Sequence, residues 1–278
     1  MYKPSSKKSR RLTLKQKRRK KYLGFLLKGL SIFVLIFTGL GYASHQPGLS
    51  ITEVLVDGNI LSSSSEIAAA AKAELSGNYL GLFSKANDLL YPQENIKTEI
   101  LKGHPEIKDV SVASGGLNGL KVIVDERKPS ALWCGVAFVS ATSSQCYLAD
   151  ENGYIFLREP ANYSGDFLKY YSVLKSAEPV GQNILSATDF QFVMKFAKDV
   201  ASLGFQTALA EKLPDGDIKL ALKDCSQIFF NLSQDEEKLV VNLSTVISDK
   251  TLQISAGKGL LSAKTIDLRF GNKIFYKK

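Results

Sequence analysis

Histidine is almost missing from this chain: only His45 and His104 occur, and neither has a serine or cysteine at a spacing that would pair a nucleophile with a base. Cysteine is sparse too. Cys134, Cys146 and Cys225 are odd in number and lack C-x-x-C spacing, which argues against a zinc site or a redox motif. Buried small hydrophobes are the plain reading of all three. In an oxidising compartment, Cys134 and Cys146 can also close a short loop that adds about 2 to 3 kcal/mol. No H-E-x-x-H, G-x-S-x-G, S-x-x-K or P-loop pattern falls in a catalytic context. GGLNG at 115–119 is a turn, since no G-K-[ST] follows it. These residues therefore assign no catalytic, cofactor-binding or metal site, and a small-molecule substrate is not expected.

Acidic residues are also missing from the start of the chain, the first being Glu53. Residues 1–21 carry eleven Lys or Arg, and an apolar stretch, YLGFLLKGLSIFVLIFTGLGYA, follows over 22–43. As a helix it reaches about 33 Å, enough to cross a hydrocarbon core of roughly 30 Å. Lys28, its only charge, is expected to snorkel to the inner headgroups. The basic flank predicts a cytoplasmic N-terminus and an extracytoplasmic C-terminus. A cleaved signal peptide is the rival, but the basic region is long and the apolar stretch exceeds a usual h-region, which favours an uncleaved anchor.

The net charge of +9 belongs to this end alone. Residues 53–278 hold 24 basic and 27 acidic residues, a net charge of −3. That excludes an electrostatic case for nucleic acid, and the tail reads as a topology signal with affinity for anionic lipid.

Beyond a linker at 44–50, the hydrophobic period becomes two. ITEVLVDGN at 51–59 predicts a strand ending in a turn. Ser63 and Glu66 form a capping-box pattern before a helix whose face is Ile67, Ala70, Ala71 and Leu75. The apolar patch from Tyr79 to Tyr91 fits no single period, with Leu80, Leu82 and Phe83 expected in the core. Pro92, Ile96, Ile100 and Gly103 frame a second helix. Strands at 106–112 and 120–126 flank a hairpin turn.

A strand ending VDGN, a helical pair, HPEIKDVSV and LKVIVDERKPSALW together resemble the POTRA domain of the FtsQ/DivIB family of bacterial cell division proteins. The remainder also resembles that family's terminal domain. YLADENGYIF is a hairpin, Ser186 with Asp189 caps a helix bearing Phe190, Val193, Met194, Ala197, Val200 and Ala201, and residues 206–232 hold two or three strands. Ser233 and Glu236 are expected to box a further helix, and residues 160–183 carry no clear pattern. IDLRF within 264–278 resembles the family's IDLRY, in a strand followed by a Gly271-Asn272 turn and a last strand through Tyr276.

The expected class is α+β: a basic cytoplasmic tail (1–21), a transmembrane helix (22–43), a linker (44–50), a POTRA-like β-α-α-β-β domain (51–129) and a mixed, mostly antiparallel β domain with flanking helices (130–278). A final hairpin leaves unpaired backbone groups on its last strand, so β-augmentation is physically available. The resemblance implies a divisome scaffold at the septum that docks FtsB/FtsL (DivIC)-like bitopic partners there. By motif, the partner-binding candidates are Asp267, Arg269, Phe270, Asn272, Ile274, Phe275 and Tyr276, with Ile266, Leu268 and Phe270 sharing the parity of a core face. The other classes are a membrane-anchored cell-wall enzyme and a POTRA-type chaperone for exported clients.

Overall fold

The computed structural model describes residues 14–116, 118–136, 145–161, 165–248, 263–271 and 273–277. The chain divides into two compact units, residues 1–100 with 110–124, and residues 101–109 with 125–278. The fold is mixed α+β, with an N-terminal apolar helix, four further helices and a large mixed sheet among the described residues.

The first helix, α1 (Leu14–Ser44), takes in the basic run Lys15–Lys21 as well as the apolar stretch. Its Lys17–Ser44 portion is long and apolar enough to cross a membrane. A 3-10 turn at Pro47–Leu49 leads to β1 (Glu53–Asp57), α2 (Ser64–Glu74), a small hairpin of β2 (Asn78–Tyr79) and β3 (Phe83–Ser84), α3 (Gln93–Gly103), β4 (Ile107–Ser114) and β5 (Gly119–Glu126). The sheet order is β1-β5-β4, with β1 parallel to β5. Alternation along β5 buries Leu120, Val122 and Val124, and the four-residue spacing on the helices buries Ile67 with Ala71 and Ile96 with Ile100. Each fully buried Ile or Leu contributes about 1.5 to 3 kcal/mol. Gly58 ends β1 at φ +89°, and a Cβ there would lie 2.2 Å from the Val124 carbonyl oxygen, so the Asp57-Gly58 turn admits no side chain.

Two expectations fail in this unit. Ser63 is the N-cap residue of α2, but its hydroxyl pairs with Ser65 Oγ at 2.7 Å instead of capping a backbone N–H. Leu80 is not in the core: it sits at the hairpin tip and is 87% exposed, while Leu82 and Phe83 are half-buried.

The second unit holds β6 (Ala131–Trp133), β7 (Tyr147–Ala149), β8 (Ile155–Arg158), β9 (Leu168–Tyr171), α4 (Ala187–Ser202), β10 (Thr207–Lys212), β11 (Ile218–Leu222), β12 (Gln227–Phe230), α5 (Glu236–Ser248), β13 (Thr265–Phe270) and β14 (Lys273–Lys277). Its nine strands run in the order β14-β13-β12-β11-β10-β9-β6-β7-β8. Three pairs are parallel, β12 with β13, β10 with β9 and β6 with β9, and the others are antiparallel.

One sheet face carries Tyr170, Ile218, Leu220, Ile228, Phe230, Ile266 and Leu268, in a single core with Phe190, Phe196 and Val200 of α4 and Leu239 and Leu243 of α5. The opposite face buries Leu132, Leu148, Phe156 and Tyr171 together with Cys134 and Cys146, which are joined as a disulfide. Strand β9, at which the sequence carries no alternation, lies between β6 and β10 and buries both Tyr170 and Tyr171. Burial on both faces erases the period-two signal.

Ser186 caps α4 as expected, accepting the Asp189 N–H at 3.1 Å. Phe196 joins the buried face of α4, whereas Ala201 is exposed. For α5 the cap is Asp235, which accepts the Lys238 N–H at 3.2 Å, because the Ser233 hydroxyl is held by Asn231 Oδ1. Cys225 is exposed at φ +70°, in the turn before β12, and is not a buried hydrophobe.

Candidate functional site: the open edge at the last hairpin

Strand β14 ends the large sheet. It pairs with β13 on one side, and among the described residues no strand lies on the other. At such an edge, alternate residues direct N–H and C=O groups outward with no ladder partner. The far edge of the sheet differs. Around β8, Ile155 N–H donates to the Gln182 carbonyl at 2.8 Å and Gly181 N–H donates to the Ile155 carbonyl at 2.8 Å, so the 181–183 segment covers that end.

Register determines what the β14 edge presents. Ile266 lies opposite Tyr276 and Asp267 opposite Phe275, but the next pair is Phe270 with Lys273. Three steps on β13 thus match two on β14, a one-residue bulge that reverses the facing of everything after it. Phe270 would share the core side with Ile266 and Leu268 in a regular strand. The bulge turns it onto the outer side with Phe275, where the two rings meet edge to face at 5.4 Å. Ile266 and Leu268 are fully buried, while Phe270 is 56% exposed, so the core-parity expectation holds for the first two and fails for the third.

The charged candidates are already engaged. Arg269 forks onto Asp267, with Nε 2.9 Å from Oδ1 and one terminal nitrogen 2.6 Å from Oδ2, and its other terminal nitrogen donates to Asp217 Oδ2 at 3.0 Å. Asp215 Oδ2 lies 3.8 Å away. The guanidinium also stands 5.4 Å from the Phe229 ring centroid and 5.6 Å from that of Phe270. The hydrogen bonds that Arg269 donates, to Asp267 first and then to Asp217, raise its pKa further above the usual value. Burial works against ionisation of Asp267, yet its bonds with Arg269 outweigh this and hold the carboxyl below the usual aspartate range.

Helix α5 and the turn before it fix the other side of the hairpin: Gln234 of the turn donates to the Leu268 carbonyl at 2.9 Å and Asn242 of the helix to that of Gly271 at 3.0 Å. The bidentate Arg269–Asp267 pair and the bonds from the α5 side hold the hairpin in place.

Of the candidate residues, Phe270, Phe275 and Tyr276 are exposed at the edge, Ile274 packs against the main core, and Asp267 and Arg269 brace the edge from within. Asn272 lies outside the described residues. Asp215, Asp217 and Phe229 complete the site and were not read from the sequence as part of it. The two aspartates look like turn residues beside Pro214 and Gly216, and Phe229 like one member of a strand, because their meeting with Arg269 depends on strand order. His104 is bound to Glu106 Oε1 at 3.0 Å, and His45 donates from Nδ1 to the Gly41 carbonyl at 2.9 Å.

Comparison with protein-family models and with curated proteins finds no match to this chain.

Proposed function

We propose that this chain is a non-enzymatic bitopic cell division protein, a divisome scaffold of the FtsQ/DivIB type that binds FtsB/FtsL (DivIC)-like partners by β-augmentation. The observation that carries the reading is the free edge of β14, braced from within and flanked by the exposed aromatics Phe270, Phe275 and Tyr276. A partner strand would gain main-chain hydrogen bonds along β14 and aromatic contacts beside it.

Two further features support it. Apart from the small β2–β3 hairpin, β1, α2, α3, β4 and β5 follow the strand, helix, helix, strand, strand order that the resemblance to a POTRA domain implies. Helix α1 exposes Phe25, Phe33 and Leu35, all more than 60% accessible, an arrangement suited to lipid and costly in water. With the basic run inside, the two folded units stand outside the membrane at the septum, and the tail sits on anionic lipid.

Co-purification of the full chain with its co-encoded FtsB/FtsL-like proteins tests this reading. Capture is expected, with loss of at least tenfold on Phe275→Glu or Tyr276→Glu; unchanged capture would remove the edge from the interface. Tagged protein is expected at midcell, and its depletion should give filaments.

A further inference from the structure

The β2–β3 hairpin, residues 78–84, is bound along the last turns of α1. The loop after it, to residue 91, is held beside that end by the Asp88 N–H to the Leu49 carbonyl at 2.8 Å and the Ile51 N–H to the Ala86 carbonyl at 2.7 Å. Ser84 N–H donates to Ser44 Oγ at 3.1 Å, Asn87 Nδ2 donates to the Ser44 carbonyl at 3.1 Å, and His45 Nε2 lies 3.3 Å from Asn78 Oδ1. Further down the helix, Phe83 meets Phe37 edge to face at 4.9 Å. Gly41 faces Leu82 so closely that a Cβ there would lie 2.4 Å from Leu82 Cγ. We propose that this segment dips into the outer leaflet beside α1, so that the first folded unit grips the bilayer surface as well as being tethered to it. The inference rests on reading α1 as a membrane span.

Depth follows from the helix itself. About 20 residues cross the hydrocarbon core. A span starting at Tyr22, just after Lys21, reaches its outer boundary near Gly41. Ending it at Phe37 instead would draw Arg18, Arg19, Lys20 and Lys21 into the hydrocarbon, which is far more costly. Phe37 therefore lies about 6 Å inside the outer boundary at 1.5 Å per residue, and Phe83 shares that depth.

The segment's surface is that of an interfacial element. Leu80 is 87% exposed and Leu89 79%, and Leu90 and Tyr79 are also open. The tip, Tyr79-Leu80-Gly81-Leu82, is closed by the Leu82 N–H to the Tyr79 carbonyl at 3.0 Å, with φ +52° at Leu80 and +71° at Gly81. Both φ values lie in the left-handed region, which suits Asn, Asp or Gly at the position of Leu80. A leucine there is strained in its backbone and unfavourable in water, and lipid gives its side chain a place. Lys85 stands 5.9 Å from the Tyr79 ring, a tyrosine-lysine pair of the kind that anchors at headgroups. Asp88, the only acid in the segment, turns Oδ1 into the protein.

The test uses the full chain with Cys225→Ser, reconstituted in phosphatidylcholine/phosphatidylglycerol vesicles, carrying one NBD-labelled cysteine at Leu80, Leu89, Leu30 or Ile60. Leu30 reports α1. Ile60 is as exposed as Leu80 but lies past the end of β1 opposite the linker. Labels at Leu80 and Leu89 are expected to shift to the blue and to be quenched at least threefold more than at Ile60 by lipid with a doxyl group at carbon 5. Leu80→Asn should lower the quenching at Leu89 toward the Ile60 level.

If Leu30 is quenched by doxyl at carbon 12 while Leu80 and Leu89 match Ile60, the dip is refuted and the span stands. An unquenched Leu30 removes the span, and the inference with it. A blue shift at Leu80 without doxyl quenching means that protein covers the patch, which also refutes it.

Discussion

Replacing Arg127 by methionine tests how two distant stretches of this sequence are joined. Arg127, just after β5, donates to Asp150 Oδ2 at 2.5 Å and from Nε to the Pro105 carbonyl at 3.0 Å, and its guanidinium lies 4.1 Å from the Tyr154 ring centroid. The Asp150 side chain is 0% exposed and that of Arg127 19%, so this pair is not a surface ion pair. Removing one partner of a buried pair strands the other charge, at a cost of about 3 to 5 kcal/mol. Asp150 keeps the N–H groups of Asn152 and Tyr154 on Oδ1, at 2.9 and 3.1 Å, which puts the expected loss near ~3 kcal/mol, the low end of that range.

The single tryptophan, Trp133, sits in the core of the same unit and reports its unfolding. With a urea dependence of about 1 to 3 kcal/mol per molar, the midpoint of the detergent-solubilised chain should fall by roughly 1 to 3 M. Arg127→Met combined with Asp150→Ala should cost less than the sum of the single changes. A midpoint within about 0.3 M of the parent would refute the view that this pair is buried and obligatory.

Acid should weaken the hairpin site. The folded pKa of Asp267 lies below its unfolded value, so its ionised form stabilises the fold above the usual aspartate range, and this contribution fades as pH falls through and below that range. Arg269→Gln should flatten the acid limb of a pH-stability profile; an unchanged limb would count against the coupling. Reduction of Cys134–Cys146, twelve residues apart in sequence, should lower stability by about 2 to 3 kcal/mol, read as a lower urea midpoint with reductant and no change in a Cys134→Ala variant. Gly58→Ala should destabilise the first unit by about 1 to 3 kcal/mol, since it combines a positive φ with a clash at the Val124 carbonyl; native-state hydrogen exchange of β1 and β5 reads this, and unaltered protection would contradict the turn geometry.

Local patterns in this chain carry much of its secondary structure. The apolar run, the alternation in β5 and β11, the four-residue spacings of α2, α3 and α4 and the Ser186 cap depend only on near neighbours in sequence, and each could be read there. Where two local partners competed, the pattern misled: Ser63 found Ser65, and Ser233 found Asn231. The candidate hairpin was legible as two strands, a turn and a set of candidate residues, but its bulge and the aspartates bonded to Arg269 were not.

The sequence by itself determined an apolar helix behind a basic run, the concentration of all net positive charge there, and a terminal hairpin rich in aromatics, because composition and period act over a few residues. Only the tertiary structure decided that a bulge turns Phe270 outward, that Arg269 is tied to Asp217, that Arg127 meets Asp150, and that Leu80 faces outward beside α1. Strand order and register are set by burial summed over the whole sheet, and no window of neighbouring residues contains that sum.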